Sequence, residues 1–109
     1  MEEVDKLNEV EGKKWNSLQA NLTRLRCLGF SSATFVIEHT RELLKLSDNF
    51  QWLHEVHSQV VWVRMKADFS NQPGEAACQL SAIRRSLRRL LHMEKQKTLQ
   101  RSQRIQSAP

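Results

Sequence analysis

Tyrosine is absent from this 109-residue chain, glycine occurs three times, and proline and cysteine twice each. So few turn formers exclude a sandwich or barrel of short strands, and the residues that dominate instead, Leu, Gln, Arg, Glu, Lys and Ala, are those that fill helices. Cys27 and Cys78 stand far apart with no CxxC, so neither a disulfide framework nor a zinc module is indicated. They are expected to be buried thiols of a protein in a reducing compartment. No run of about 18 apolar residues occurs, which excludes a membrane-spanning helix. The opening MEEVDKLNEVEGKK is charged and acidic, whereas a secretory leader is basic and then apolar. The expected location is therefore intracellular, nuclear or cytoplasmic. A chain of this length has room for one core and buries roughly two thirds of its unfolded surface.

Acidic residues are also nearly missing from the last quarter. Residues 84–109 carry eight bases against Glu94 alone, residues 15–83 carry six charges of each sign, and residues 1–14 carry five acids against three lysines. The formal net charge of +5 is thus a property of the C-terminal segment.

Apolar residues recur at helical spacing in four stretches. Val4, Leu7, Trp15, Leu18, Leu22 and Leu25 predict a long first helix over about residues 2–28, with Gly29 at a left-handed C-cap. Ser31 or Ser32 is placed to cap a second helix striped by Ala33, Val36, Ile37, Thr40, Leu43 and Leu44. Asp48 followed by Gln51 has the form of a capping box for a third, striped by Leu53, Val56, Val60, Val63 and Ala67. Val60, Val61, Trp62 and Val63 have strand propensity, but no second alternating run exists to pair with them, so the segment is read as helix. SNQPGE at 70–75 is a loop, and the fourth helix runs from about Glu75 through Ala76, Leu80, Ile83, Leu87, Leu90 and Leu91. The expected fold is all-α: a small bundle of three to four helices with a long first and a basic last helix. It occupies residues 1–94 as one domain, and 95–109 form a frayed or disordered basic tail.

At about 100° per residue, the side of the fourth helix opposite its apolar stripe carries Arg84, Arg85, Arg88, Arg89, His92 and Lys95. Any bundle helix needs a polar outer face, and arginine is a good helix former. The sign bias is what distinguishes this one, since no acid lies between Glu75 and Glu94 to relieve self-repulsion at i,i+4. An acidic protein surface or nucleic-acid phosphates would relieve it. The tail through Arg101 and Arg104 is expected to extend the face. On the third helix, Trp62, Met65 and Phe69 lie across from the main stripe and are expected to be at least partly exposed as a partner-binding patch, unless flanking helices cover both sides. Phe35, His39 and Leu46 make a weaker group of the same kind on the second helix.

Chemistry-bearing residues do not assemble. His54 and His57 sit at i,i+3 without HExxH or a matched cysteine, and there is no Gly-rich phosphate loop and no GxSxG. Ser86 in RRSLRR has arginines on both sides, a context for basophilic kinases, but adjoins Leu87 and Leu90, where access would be poor. No enzyme activity, cofactor or metal is expected. The leading expectation is a non-catalytic protein–protein interaction subunit with a helical or acidic partner. The alternative is a nucleic-acid-associated bundle gripping phosphates without sequence specificity, and self-association is left open.

Overall fold

The computed structural model describes residues 3–69 and 73–107, and among these residues four α-helices form an all-α bundle with no strand. After a short 3-10 turn at Glu3–Lys6, α1 spans Glu9–Cys27, α2 Ser32–Leu46, α3 Gln51–Phe69 and α4 Pro73–Ser107. The first helix therefore starts later than its stripe predicts. Asn8 is extended, its side chain accepts the Glu11 N–H at 2.8 Å, and the Glu11 carboxylate accepts the Asn8 N–H at 3.3 Å. This reciprocal cap satisfies donors that a continuous helix would have bonded internally. The Val4 side chain lies outside what is described.

Gly29 ends α1 with φ +98°, and the Phe30 and Gly29 amides donate to the Leu25 and Arg26 carbonyls, each at 3.0 Å. This is the Schellman arrangement, which requires a left-handed residue that glycine adopts without strain. Two expected caps are corrected. Ser31 precedes α2 without a side-chain cap, while the Ser32 hydroxyl pairs with Ser81 Oγ on α4 at 3.2 Å. At α3 the Gln51 N–H goes to Asn49 Oδ1 at 3.0 Å, not to Asp48, because the buried Ser47 hydroxyl holds both the N–H and the C=O of Asn49. The first half of the expected loop, Ser70, Asn71 and Gln72, lies outside the described residues. Proline at the first position of α4 suits a site where no amide partner exists.

Two pairs of helices run parallel. Ser17 meets His57 and Arg24 meets Asp68, which lays α3 along α1 in the same direction. Ser32 meets Ser81, Phe35 meets Arg84 and Glu42 meets Lys95, which does the same for α4 along α2. Lys6 and Gln19 reach Lys45 and Thr40, so α1 and α2 are antiparallel, and the chain forms two helical hairpins stacked on each other.

The core lies between the hairpins. Trp15, Leu18, Leu22, Leu53, Val56, Val60, Ile83 and Leu87, expected to share it, are all buried in one cluster. Each wholly buried Leu or Val contributes about 1.5–3 kcal/mol. Leu90 is only partly buried, and Leu91, one position on, takes the inward place. Thr40 is fully buried yet satisfied, donating to the Ile37 carbonyl at 2.9 Å and accepting from Gln19 at 3.4 Å. Cys27 and Cys78, expected to be buried, are both exposed, since neither lies on the stripe of its helix.

The residues from Lys95 onward, read from sequence as a frayed tail, continue α4 as helix to Ser107. They hold no glycine or proline before Pro109, and Lys97 bonds Glu94 at 3.3 Å within that stretch. At 35 residues α4 is about 52 Å long by the usual helical rise. It accounts for most of the molecule's 62 Å long dimension.

Candidate interaction surface

Each helix turns one face away from the core, and the chemistry of that face differs among them. On α1 the outward residues include Lys13, Asn16 and Thr23, and on α2 Thr34, Glu38 and Arg41, all exposed. On α3 they are Trp62, Met65 and Phe69, with 41%, 47% and 85% of their surfaces exposed. Neither α1 nor α4 covers this side, because both pack toward the Val60 stripe. The patch is therefore open, as its phase across α3 predicts.

Trp62 extends the patch toward α4. An open groove between α3 and α4 is lined by Ser58, Trp62 and Val63 on one side and by Gln79, Ala82 and Ile83 on the other, with the exposed Ser86 at its edge. Lys66 places its Nζ 4.9 Å from the centre of the Trp62 ring, a cation–π contact that fixes the indole against its own helix. Ser86 is thus more accessible than its neighbours in sequence suggest.

The basic face of α4 divides into two. Arg84, Arg88 and Lys95 turn toward α2: the Arg84 guanidinium lies 3.8 Å from the Phe35 ring centre, Lys95 pairs with Glu42 at 3.5 Å, and Arg88 borders a cleft with Glu38, His39 and Glu42. Arg84 and Lys95 thus have intramolecular partners. Arg85, Arg88 and Arg89 line an outward surface with His92 and Met93, and none of the three has an ion pair among the described residues. The expected single face of six groups is therefore divided, with Arg84 and Lys95 held by α2, Arg85 and Arg89 on the outer flank, and Arg88 and His92 bordering both. Gln96 to Gln103 prolong α4 as exposed helix carrying Lys97 and Arg101, and the Arg104 side chain lies outside what is described. On α2 the off-stripe group is accounted for internally, with Phe35 under Arg84, His39 half-buried against α4 and Leu46 packed on the core.

His39 and His57 serve packing. His57 bonds Ser17 across α1 and α3 at 2.9 Å, and burial, with Lys14 and His54 nearby, holds its pKa below the ordinary value of 6.5. Burial lowers His39 in the same way, opposed by Glu42 and reinforced by Arg84 and Arg88. Among the described residues no three His, Cys, Asp or Glu side chains come together as a metal site would require. No helix among them is long and apolar enough to cross a membrane.

The Trp62 patch and the cationic surface of α4 were legible as helical phase. The groove beside Trp62 was not, because its α4 wall is made of Gln79, Ala82 and Ser86, residues with no signal of their own, and of Ile83, which belongs to the apolar stripe. Neither a family model, a curated protein nor a solved structure matches this chain. The class defined here is that of the fold, an all-α bundle of two stacked helical hairpins.

Proposed function

We propose that this chain is a non-catalytic interaction module that joins a protein partner through the Trp62 face of α3. The observation that carries the reading is clustering: Trp62, Met65 and Phe69 stand exposed together on α3, whereas the exposed large apolar side chains of α1 and α2, Val10 and Phe35, stand singly. Exposed aromatic and Met side chains lose solvent contact at a favourable rate when covered, and Trp is the residue most enriched among those that dominate binding energy. Intracellular location, nuclear or cytoplasmic, belongs to the same proposal.

The test compares the native chain with a Trp62→Ala, Phe69→Ala variant, each used as bait under matched conditions. The variant should keep its helical circular dichroism and thermal midpoint, because the replaced side chains lie outside the core, and should lose the proteins retained by the native chain. An unfolded variant would make the patch part of the core. A folded variant with an unchanged set of retained proteins would move the docking surface elsewhere.

A second reading, binding of nucleic-acid phosphates, is favoured by Arg85 and Arg89, which have no acidic partner among the described residues, and by the exposed extension of α4. Retention on DNA or RNA that falls steeply with salt, and falls again on charge reversal at Arg85 and Arg89, would support it over the first.

A further inference from the structure

We infer that the groove between α3 and α4 receives an amphipathic helix of about three turns whose apolar stripe is flanked by acidic residues. The inference rests on the reading that the Trp62 face docks a partner, and it specifies what that partner presents.

The first argument concerns shape. Backbone amides and carbonyls of α3 and α4 are engaged in their own helices, and among the described residues there is no sheet edge, so an extended peptide would find no main-chain partners. The apolar anchors are arranged for a helix instead. Trp62, Met65 and Phe69 recur at three and four residues along α3, and the groove continues to Ser58. Eleven residues of rise from Ser58 to Phe69 measure about 17 Å, the length of roughly three helical turns.

The second argument concerns charge. From Val56 to Ala67 on α3, and from Ala76 to Met93 on α4, the sequence contains no acid, and Asp68, beside Phe69, is already paired with Arg64 and with Arg24 of α1. The lining of the groove itself is uncharged; Lys66 lies over the Trp62 ring, and on α4 Arg85 adjoins the groove residue Ser86 in sequence, with Arg89 one turn further on the same outward surface. Glu55 and Glu75 stand one turn outside it, before Ser58 and Gln79 respectively. A second copy docking by twofold symmetry would set these cations against themselves, whereas Glu or Asp beside an apolar stripe would meet them with opposite sign. A single-stranded nucleic acid would also satisfy the cations, but Lys66 already lies over the Trp62 ring, which leaves Phe69 as the open ring beside Met65, Val63, Ala82 and Ile83, one platform where successive bases need several.

Trp62 supplies the assay, because Trp15 and Trp52 are buried and only Trp62 can change its solvent contact when the groove is filled. The full chain is titrated with three synthetic 18-residue peptides: a helical Leu/Phe stripe flanked by Glu, the same stripe flanked by Lys, and the Glu composition scrambled so that no stripe forms. The Glu-flanked peptide should shift Trp emission to the blue and saturate, with the Lys-flanked peptide at least tenfold weaker and the scrambled one inert. Arg85→Glu with Arg89→Glu should weaken the Glu-flanked peptide at least tenfold and narrow the preference between peptides. Trp62→Phe should abolish the spectral change while binding persists by calorimetry. Equal binding of the Glu- and Lys-flanked peptides would overturn the inference while leaving a docking face at Trp62. So would a blue shift produced by oligo(dT), by phosphatidylserine vesicles, or by raising the concentration of the chain alone while the Glu-flanked peptide produces none. Unchanged partner retention by the folded Trp62→Ala, Phe69→Ala variant would overturn the underlying reading as well.

Discussion

Replacing Val60 by Asp tests whether α3 turns the side assigned here toward the core. Val60 is fully inaccessible to solvent, in the cluster that also contains Leu18, Leu22, Leu53 and Leu80. An aspartate there has no cation or hydrogen-bond donor provided for it, so the folded state takes it protonated. Protonating a carboxyl of reference pKa 3.9 at pH 7 costs about 4 kcal/mol, and losing the buried valine adds about 2 kcal/mol. A total of about 6 kcal/mol is comparable with the whole stability of a small domain, roughly 5–15 kcal/mol. The folded-state pKa is raised above the unfolded value, so the charge penalty is absent below about pH 3.9 and grows as the pH rises. Urea unfolding followed by circular dichroism, with native chain and variant compared at each pH, should show a deficit near 6 kcal/mol at pH 7 that shrinks to about 2–3 kcal/mol at pH 4. Ser58→Asp, two residues earlier and exposed, should shift stability by no more than about 0.5 kcal/mol. A Val60→Asp deficit no larger than that of Ser58→Asp would refute the assigned face of α3.

Gly29→Ala should cost about 1–2 kcal/mol through its φ of +98° alone, because nothing stands within 4 Å of an added Cβ, and Gly29→Asn should recover part of the loss in a thermal melt. His39 and His57 are neutral-preferring in the folded state, so the stability they support is complete above pH 6.5 and lost as the pH falls through their depressed values. A His39→Gln, His57→Gln variant should flatten the decline just below pH 6.5, and an unaltered profile would place its cause elsewhere. Arg84→Ala should lower the melting midpoint through loss of the Phe35 contact, worth about 0.5–1 kcal/mol, whereas Arg85→Ala should leave it nearly unchanged. Equal effects would contradict the division of the basic face.

The bundle was legible because its cause is periodic. Leu18, Leu22, Leu53, Val60, Leu80 and Leu87 repeat at the helical period, and burying them dictates which side of each helix turns inward. Trp62, Met65 and Phe69 were legible for the complementary reason, being out of phase with that stripe. Local competition was harder to foresee. Asp48 and Asn49 are both able to cap α3, and the outcome depends on the buried Ser47 hydroxyl, which holds the Asn49 backbone. The extent of α4 is not legible in its apolar stripe, which stops after Leu91 while the helix continues to Ser107. Propensity and pairs such as Lys97 with Glu94 continue the helix where core packing no longer does.

The division of the basic face could not be read from α4 alone, since helical phase places the arginines outside the apolar stripe but does not say which neighbour flanks them. The parallel packing of α4 on α2 decides it. Residues at 84, 88 and 95 come over Phe35, Glu38, His39 and Glu42, where an aromatic ring and two carboxylates meet them, and residues at 85 and 89 come to lie on the other flank. Arg84 and Lys95 on the α2 flank are already matched, so neutralising either disturbs a contact within the bundle. Arg85 and Arg89 on the outer flank repel one another, and Arg85 adjoins Ser86, which lines the open groove with Trp62. A ligand with acidic groups alone would relieve the repulsion and leave the aromatic patch wet, and a purely apolar ligand would do the reverse. A surface that presents both is complemented fully only by a ligand carrying an apolar stripe and negative charge together, so apolar truncation at Trp62 and charge reversal at Arg85 and Arg89 should weaken the same partner.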